Sequence, residues 1–355
     1  MGNNGVNEVR RKIMRSLTGG VGKSRVDTVA GINKPVRRVF IARPNHRLGN
    51  LLLITPLIQE IEATFPDCKI DLFVKGGLAP ILFENYPSVD RIISLPKKPF
   101  KQLFKYIGVW VSLKKYRYDL AINLDKGSSS GRLSTRFVSA KNKIFGEHLD
   151  ELINKYPDYR HMAKNPVYNL RYYLNLMGYK VNGGAVATLN LRLTPDEIAH
   201  GNELMNELVP AERKTISVFT YATGSKCYSE EWWASFFSKL TAAFPGYNFL
   251  EVLPVENISK INFKAPSFYR KDVREIASVI ANTEVFIAAD SGIMHLGVAS
   301  QTPTVGLFSV TRPDKYEPYG NGSLPVNTND LDAEAIIAIL QGILQTGNIE
   351  NIGYA

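Results

Sequence analysis

The sequence predicts an α/β chain of two similar halves, each built on a parallel sheet covered by helices, with ligands bound in a cleft at the carboxyl ends of the two sheets. Three observations carry this reading. Short apolar runs bounded by turn residues alternate with amphipathic helical stretches along most of the chain. The runs are almost wholly apolar, not alternating, as expected of strands buried on both faces of a parallel sheet. The alternation lapses over residues 179–213 and then starts again, and 355 residues with 45% hydrophobic content are enough for two cores.

Residues 1–35 read as a basic extension. Up to residue 48 the chain carries Arg10, Arg11, Lys12, Arg15, Lys23, Arg25, Lys34, Arg37, Arg38, Arg43 and Arg47 against only Glu8 and Asp27. That balance of +9 accounts for nearly all of the formal +10 of the chain. Such an end suits an anionic partner or a solvated tail. Val6, Val9, Ile13 and Leu17 fall on one face of a short helix. The following GGVGKS lacks the earlier glycine of a phosphate-binding loop, because Leu17 stands at that position, and no strand precedes it. It reads as a flexible linker.

The first half spans residues 36–178. VRRVFIA is a strand, RPNHRLGN a loop, and LLLITPLIQEIEATFP a helix stopped by proline. KIDLFV, DRIISL and DLAINL follow as buried strands, and NPVYNLRYYLNLMGY is a helix closed by Gly178. Between them Lys97, Lys98, Lys101, Lys105, Lys114, Lys115 and Arg117 occur without an acidic residue, interleaved with Phe100, Leu103, Phe104, Ile107 and Trp110 at helical spacing. Such a helix suits a phosphorylated lipid or an anionic leaflet, or else it faces its aromatics to the core and its lysines to water. Residues 179–213 read as the linker region. In residues 214–329, TISVFT, NFLEVL, EVFIAA and TPTVGLF are strands, with SEEWWASFFSKLTAAF and DVREIASVIANT as helices. Residues 330–355 supply a last helix, DAEAIIAILQGILQ, and a tail.

Several function classes lose support at this stage. Cys68 and Cys227 stand alone, with no spacing for a disulfide scaffold or a zinc site, which fits a reducing cytoplasm. No run approaches the ~20 apolar residues of a membrane span, and no signal peptide is visible. The basic end has neither a recognisable fold nor an aromatic platform for nucleic acid, so no nucleic-acid partner is expected.

The most informative stretch is EVFIAADSGIMHLGVASQTPTVGLF. A strand ends at Asp290, and Ser291 and Gly292 turn into a helix whose first N–H groups favour an anion such as a diphosphate. Asp290 then either caps that helix or binds sugar hydroxyls. His295, flanked by Ile293, Met294 and Leu296, is a packed histidine or a ligand contact. Lys226 is either a surface lysine before a helix or a phosphate ligand. Asp330 and Asp332 form a DxD pattern, but their place before the last helix fits capping better.

Beyond this point the sequence resembles a known family. ADSGIMHLGVASQTPTVGLFSVTRPDKYEPYG resembles the C-terminal signature of glycosyltransferase family 9, the ADP-heptose:lipopolysaccharide heptosyltransferases. RLGNLLLITPLIQEIEATFPDCKIDLFVKG, KKYRYDLAINLDKGSSSGR and YATGSKCYSEEWWASFF resemble further segments of that family in its order, covering most of residues 37–345. The resemblance implies a GT-B fold, two Rossmann-like domains with parallel sheets facing an interdomain cleft. It implies inverting, metal-independent transfer of a heptose or related sugar from a nucleotide-sugar donor, ADP-linked, to a lipopolysaccharide core or similar glycan, with no cofactor. The enzyme would be cytoplasmic, peripheral on the inner face of the inner membrane through contact with anionic lipid.

Carried over by position, Thr223, Gly224, Ser225 and Lys226 would grip the diphosphate, and Asp290, Ser291, Gly292 and His295 would complete the donor site. Glu256 would reach the nucleoside. Lys226 also counts as catalytic, since a fixed ammonium can take up the charge of the leaving diphosphate. The family's Gly-Asp after the first strand is Gly49-Asn50 here, and an amide cannot accept the acceptor's proton. Asp125, after DLAINL, is the substitute base, with Asn50, Lys126 and Arg132 on the acceptor side; otherwise Asp125 caps its turn or pairs with Lys126. The open alternatives are a non-catalytic GT-B binding protein and a sugar-nucleotide epimerase.

Overall fold

The computed structural model describes residues 20–28, 35–97 and 102–346. The helical pattern at 6–17, most of the basic extension, Lys98, Phe100, Lys101 and the tail from 347 lie outside the described residues. The chain divides into two compact units. The first includes the residues up to His46 and Pro56–Val186; the second holds Arg47–Thr55 and the chain from Ala187 onward. The expected boundaries kept Arg47–Thr55 in the first half and ended that half at residue 178. The difference arises because the short helix after the first strand packs on a helix of the second unit.

The sheet of the first unit contains β1 (Arg38–Ala42), β2 (Lys69–Lys75), β3 (Val89–Leu95), β4 (Arg117–Asn123) and β5 (Ser139–Ile144). The strands are all parallel, in the order β3-β2-β1-β4-β5. β1 lies between β2 and β4, so Val39, Phe40, Ile41 and Ala42 have no access to water, which is why its sequence is a continuous apolar run. The helices are α1 (Leu48–Leu52, grouped with the second unit), α2 (Thr55–Thr64), α3 (Ala79–Leu82), α4 (Leu103–Ser112), α5 (Ser129–Phe137), α6 (Asp150–Lys155) and α7 (Lys164–Leu176). α7 ends as its sequence predicts. Gly178 takes φ +85°, and the Tyr179 N–H donates to the Leu174 carbonyl at 3.0 Å.

The described part of the glycine-rich segment corrects the expectation of a flexible linker. Arg25 and Lys143 exchange backbone hydrogen bonds of 2.8 Å as an antiparallel bridge on β5. The Ser24 N–H and hydroxyl donate to the Glu147 carboxylate, and Lys141 pairs with Asp27 at 2.8 Å. The physical reason is that β5 is an edge strand, and an extended segment beside it satisfies backbone groups that the sheet leaves open.

The second unit contains β6 (Thr215–Phe219), β7 (Asn248–Val252), β8 (Ser267–Phe268), β9 (Val285–Ala289), β10 (Thr304–Phe308) and β11 (Leu324–Asn327), again all parallel, in the order β11-β10-β9-β6-β7-β8. Its own helices are α8 (Pro195–Asn206), α9 (Glu230–Ala243), α10 (Val273–Ala281), α11 (Gly292–Ala299) and α12 (Ala333–Thr346). α9 and α12 cover one face, where Trp233, Phe236 and Leu340 are sealed from water. α8 falls inside the expected linker region and is a fully formed helix: Thr194 and Glu197 make a reciprocal capping box at its start. Of the DxD pattern, Asp332 caps α12, whereas Asp330 does not and instead pairs with the turn before it. The Ala335 N–H donates to Asp332 at 2.9 Å, and the Asn327 side chain donates to Asp330.

In each unit the strand order reverses beside the first strand of its sheet, between β1 and β4 and between β6 and β9. Loops leaving the carboxyl ends of such neighbouring strands splay apart and leave room for a ligand. Except for Glu256, which follows β7, the predicted site residues stand on or beside these loops.

Candidate functional site

In the second unit the chain leaves β6 through Thr220 and makes a tight turn at Gly224–Lys226, which Gly224 enters at φ +67°. Thr223, Gly224 and Ser225 are exposed. The turn aims Lys226 at the tip of β9, where its Nζ lies 2.6 Å from Oδ2 of Asp290. It is a close ion pair between a half-exposed ammonium and a nearly buried carboxylate, without the alignment of a hydrogen bond. Ser229 then caps α9 by accepting from the Trp232 N–H at 3.2 Å, which fixes the far side of the turn.

Asp290 does not cap α11. Ser291 does, its hydroxyl accepting from the Met294 N–H at 3.4 Å. The Asp290 carboxylate is therefore free of the helix and committed to Lys226. One turn further, His295 is buried and its Nδ1 finds no hydrogen-bond partner among the described residues. Burial pushes its pKa down to about 4, with the Asp290 charge opposing and the Lys226 charge adding a smaller push in the same direction. At neutral pH the ring is uncharged.

α1 lies against the start of α11. A Cβ on Gly49 would stand 2.6 Å from Cδ2 of His295 and 3.3 Å from Cα of Gly292, so glycine is needed for close approach, not for an unusual φ. Asn50 is half-buried on the same short helix. The structure thus brings Lys226, Asp290, Ser291, Gly292 and His295 into one cluster and sets α1 beside it. Glu256 is not brought into a visible contact: it is exposed on the loop after β7.

A different acid, missed in the sequence, is buried there. Glu251 on β7 accepts from the Thr220 hydroxyl at 2.7 Å, and Thr220 accepts from the Lys260 N–H at 3.1 Å, tying the loop after β7 to the tip of β6. Burial raises the Glu251 pKa. The signal was an acid interrupting the apolar run NFLEVL, since such a residue has to be paired once it is inside.

In the first unit Asp125 follows β4. Its Oδ1 accepts from the Gly127 N–H at 2.8 Å and its Oδ2 lies 3.1 Å from Nη1 of Arg43, which is buried just after β1. The turn-capping alternative is thus present, but the charge partner is Arg43 and not Lys126, which is exposed. Arg132, on α5, is buried and donates to the Lys126 carbonyl, so it acts by holding this loop. In the sequence Arg43 counts only as part of the basic end of the chain. Its position directly after a strand was the sign of a different role.

Comparison with known proteins shows which sequences and folds the chain is similar to. The family model for glycosyltransferase family 9 (heptosyltransferase) matches residues 270–334, the segment from the approach to α10 through α11 to the start of α12. Lipopolysaccharide heptosyltransferase 3 of Escherichia coli is 24% identical over 306 residues, 78% of this chain and 85% of that protein. Among solved structures, the family 9 glycosyl transferase of Veillonella parvula superposes with a TM-score of 0.68 at 17% identity, covering 88% of this chain and 99% of that one. The E. coli ADP-heptose lps heptosyltransferase II gives 0.64 at 16% identity, over 87% of this chain and 98% of that one.

Proposed function

We propose that the chain is a glycosyltransferase of family 9 and that it moves a heptose or related sugar from an ADP-linked donor to a lipopolysaccharide core or similar glycan, inverting the anomeric centre without a metal. The observation that carries this reading is the Lys226–Asp290 pair at the mouth of α11. In such a displacement the acceptor oxygen bonds to the anomeric carbon as the bond to the diphosphate breaks, and the electron pair leaves with the diphosphate. The growing charge needs fixed positive groups. The Lys226 ammonium and the N–H groups at the start of α11 are held in place by a turn and a capped helix, so they stabilise that charge without reorganising. Thr223, Gly224 and Ser225 add exposed backbone groups for the phosphates, and Glu256 is assigned to the nucleoside.

Asp290, off the helix cap, is available to sugar hydroxyls once a diphosphate draws Lys226 toward itself. Neutral His295 is suited to an uncharged hydroxyl, because its buried Nδ1 lacks a partner among the described residues. For the base we assign Asp125, with Asn50, Lys126 and the Arg132-held loop on the acceptor side. General-base help is worth roughly 10²–10⁴ in rate. The basic N-terminal extension is assigned to an anionic leaflet on the cytoplasmic side.

The experiment is release of ADP from ADP-heptose in the presence of lipopolysaccharide core acceptors truncated at successive sugars. Turnover is expected with one of them, and Asp125→Asn should lower it at least about a hundredfold with little change in donor affinity. Full turnover in Asp125→Asn removes the assigned base. Absence of turnover in the wild type, together with a gain in Asn50→Asp, shows instead a binding protein with a disabled site.

A further inference from the structure

α4 is apolar on two sides. Its sequence LFKYIGVWVS contains one charged residue, yet none of its side chains is fully buried. One side seats the helix. Trp110 meets Phe73 and Phe137 edge-on at 5.8 and 6.0 Å, and Tyr106, Val109 and Trp110 pack on the core that includes Phe40 and Leu113. The other side has no such cover. Phe104 is 91% exposed and Val111 66%, while Leu103 and Ile107 are each about half exposed, and these positions share one stripe of the helix. Phe137 on α5 extends the apolar surface. The expectation that aromatics face the core is met by Tyr106 and Trp110, and the outward stripe is exposed.

The charge around this stripe has one sign. Lys105, Lys114, Lys115, Arg117 and Arg136 are all exposed, and residues 97–118 contain no Asp or Glu. Lys114 places its Nζ 4.4 Å from the centre of the Phe137 ring. The crowding is felt by Lys143, whose pKa is lowered by burial and then by the charges of Lys114 and Arg136. Water solvates the charges but leaves them repelling one another and leaves the apolar side chains exposed. The cluster is stabilised by a surface that is negative outside and apolar within.

We propose that the outward side of α4 docks on an anionic phospholipid bilayer, with Phe104, Ile107 and Val111 entering the headgroup–acyl boundary and the lysines resting on the phosphates. An exposed apolar stripe ringed by charge of one sign suits a lipid surface that is negative outside and apolar within, whereas a protein groove would require matched polar contacts that this stripe does not offer. Long lysine stems can follow the apolar residues inward while the ammonium stays at the phosphates. The contact assigned to the N-terminal extension is electrostatic, whereas this one also inserts apolar side chains. Vesicle binding decides the proposal independently of sugar transfer.

The test uses the full chain and co-sedimentation with vesicles of phosphatidylglycerol and phosphatidylethanolamine, against vesicles of phosphatidylcholine alone. Wild type should bind the anionic vesicles, and part of that binding should survive 0.5 M salt (roughly a twofold shorter screening length than at physiological strength). Phe104→Glu/Ile107→Glu should weaken binding about tenfold or more and abolish the salt-resistant part. Its unfolding temperature should not change, because both side chains are already outside the core. Phe104→Trp should keep wild-type affinity, and its emission in excess of that from the three native tryptophans of wild type should be quenched by brominated acyl chains. Wild-type binding by the Glu double variant, or unquenched excess emission from the Phe104→Trp variant on bound vesicles, overturns the proposal. So does a wild-type dimer that the double variant converts to monomer while neither binds vesicles, since the occupant would then be a second copy.

Discussion

At the scale of single residues, the site in the second unit is governed by a few groups whose charges were set by folding. Lys226 and Asp290 neutralise each other at 2.6 Å, so a diphosphate has to compete for an ammonium already in place. A hydrogen bond to a charged group is worth about 1.5–3 kcal/mol, and Lys226→Ala should therefore weaken ADP binding about 10- to 100-fold by calorimetry. Unchanged affinity would move the diphosphate elsewhere. His295 carries a second consequence, one of sign. Its folded pKa is about 4 against an ordinary 6.5, so between those values the unfolded chain takes up a proton that the native state refuses. Stability therefore rises with pH through that window and is lost progressively as the pH falls from about 6.5 toward 4, by on the order of 3 kcal/mol. His295→Gln should flatten this acid limb in thermal unfolding measured from pH 4 to 7, whatever its effect at pH 7. An acid limb as steep as that of the wild type would show that another group carries it.

At the scale of elements, glycine and a partly buried ion pair fix one of the closest helix contacts in the second unit. Arg274 on α10 bonds the Glu197 carboxylate that also closes the capping box of α8, and this pairing holds Glu197 down to about 2. Beside it, a Cβ on Gly201 would lie 2.4 Å from the carbonyl carbon and oxygen of Ser278. Backbone cannot step aside as a side chain can. Gly201→Ala should consequently cost about 1–3 kcal/mol in thermal unfolding, although alanine is the better helix former. A stability equal to or above wild type would mean that α8 can shift freely on α10.

The same pair of helices shows where the sequence was legible and where it was not. The start of α8 is written in LTPDE, an acceptor, a proline and an acid at capping spacing, yet the stretch reads as a linker because its apolar residues are few. Strands β1, β2, β6, β9 and β10 were legible because burial on both faces leaves a continuous apolar run. β5, SAKNKI, was not, since an edge strand is wetted and its charges hide the period. The docking of residues 20–28 on that edge had no sequence signal either, because backbone pairing is nearly blind to side chains. Of the candidate cluster, Lys226, Asp290, Ser291, Gly292 and His295 were named through motif order. Arg43 and Glu251 were not, because each takes its meaning from a partner distant in sequence, Asp125 and Thr220. Gly49 stands out in the sequence only for the residue beside it, whereas its own role is to let α1 approach α11.

At the scale of the whole molecule, each unit has its own parallel sheet with a switch point beside its first strand, so ligand response is what distinguishes them. The proposed donor groups Thr223, Gly224, Ser225, Lys226, Asp290, Ser291, Gly292 and His295 all belong to the second unit, on the β6 and β9 loops at its switch point. A ligand that binds only the native state stabilises it by mass action, about 2.7 kcal/mol at a hundred times Kd. The gain appears first in the segments that hold the ligand, because amide exchange there proceeds through local opening. With ADP at that excess, exchange should slow in the loop from Thr220 to Cys227 and in the first turn of α11. The outward stripe of α4 in the first unit should be unaffected. Lys226→Ala should remove the protection at matched ADP concentration, while protection in α9, which only packs behind the turn, should remain near its ligand-free level. Protection that instead centres on the Arg43–Asp125 loops would reverse the assignment, placing the nucleotide on the first unit and leaving the Lys226–Asp290 pair as a structural contact.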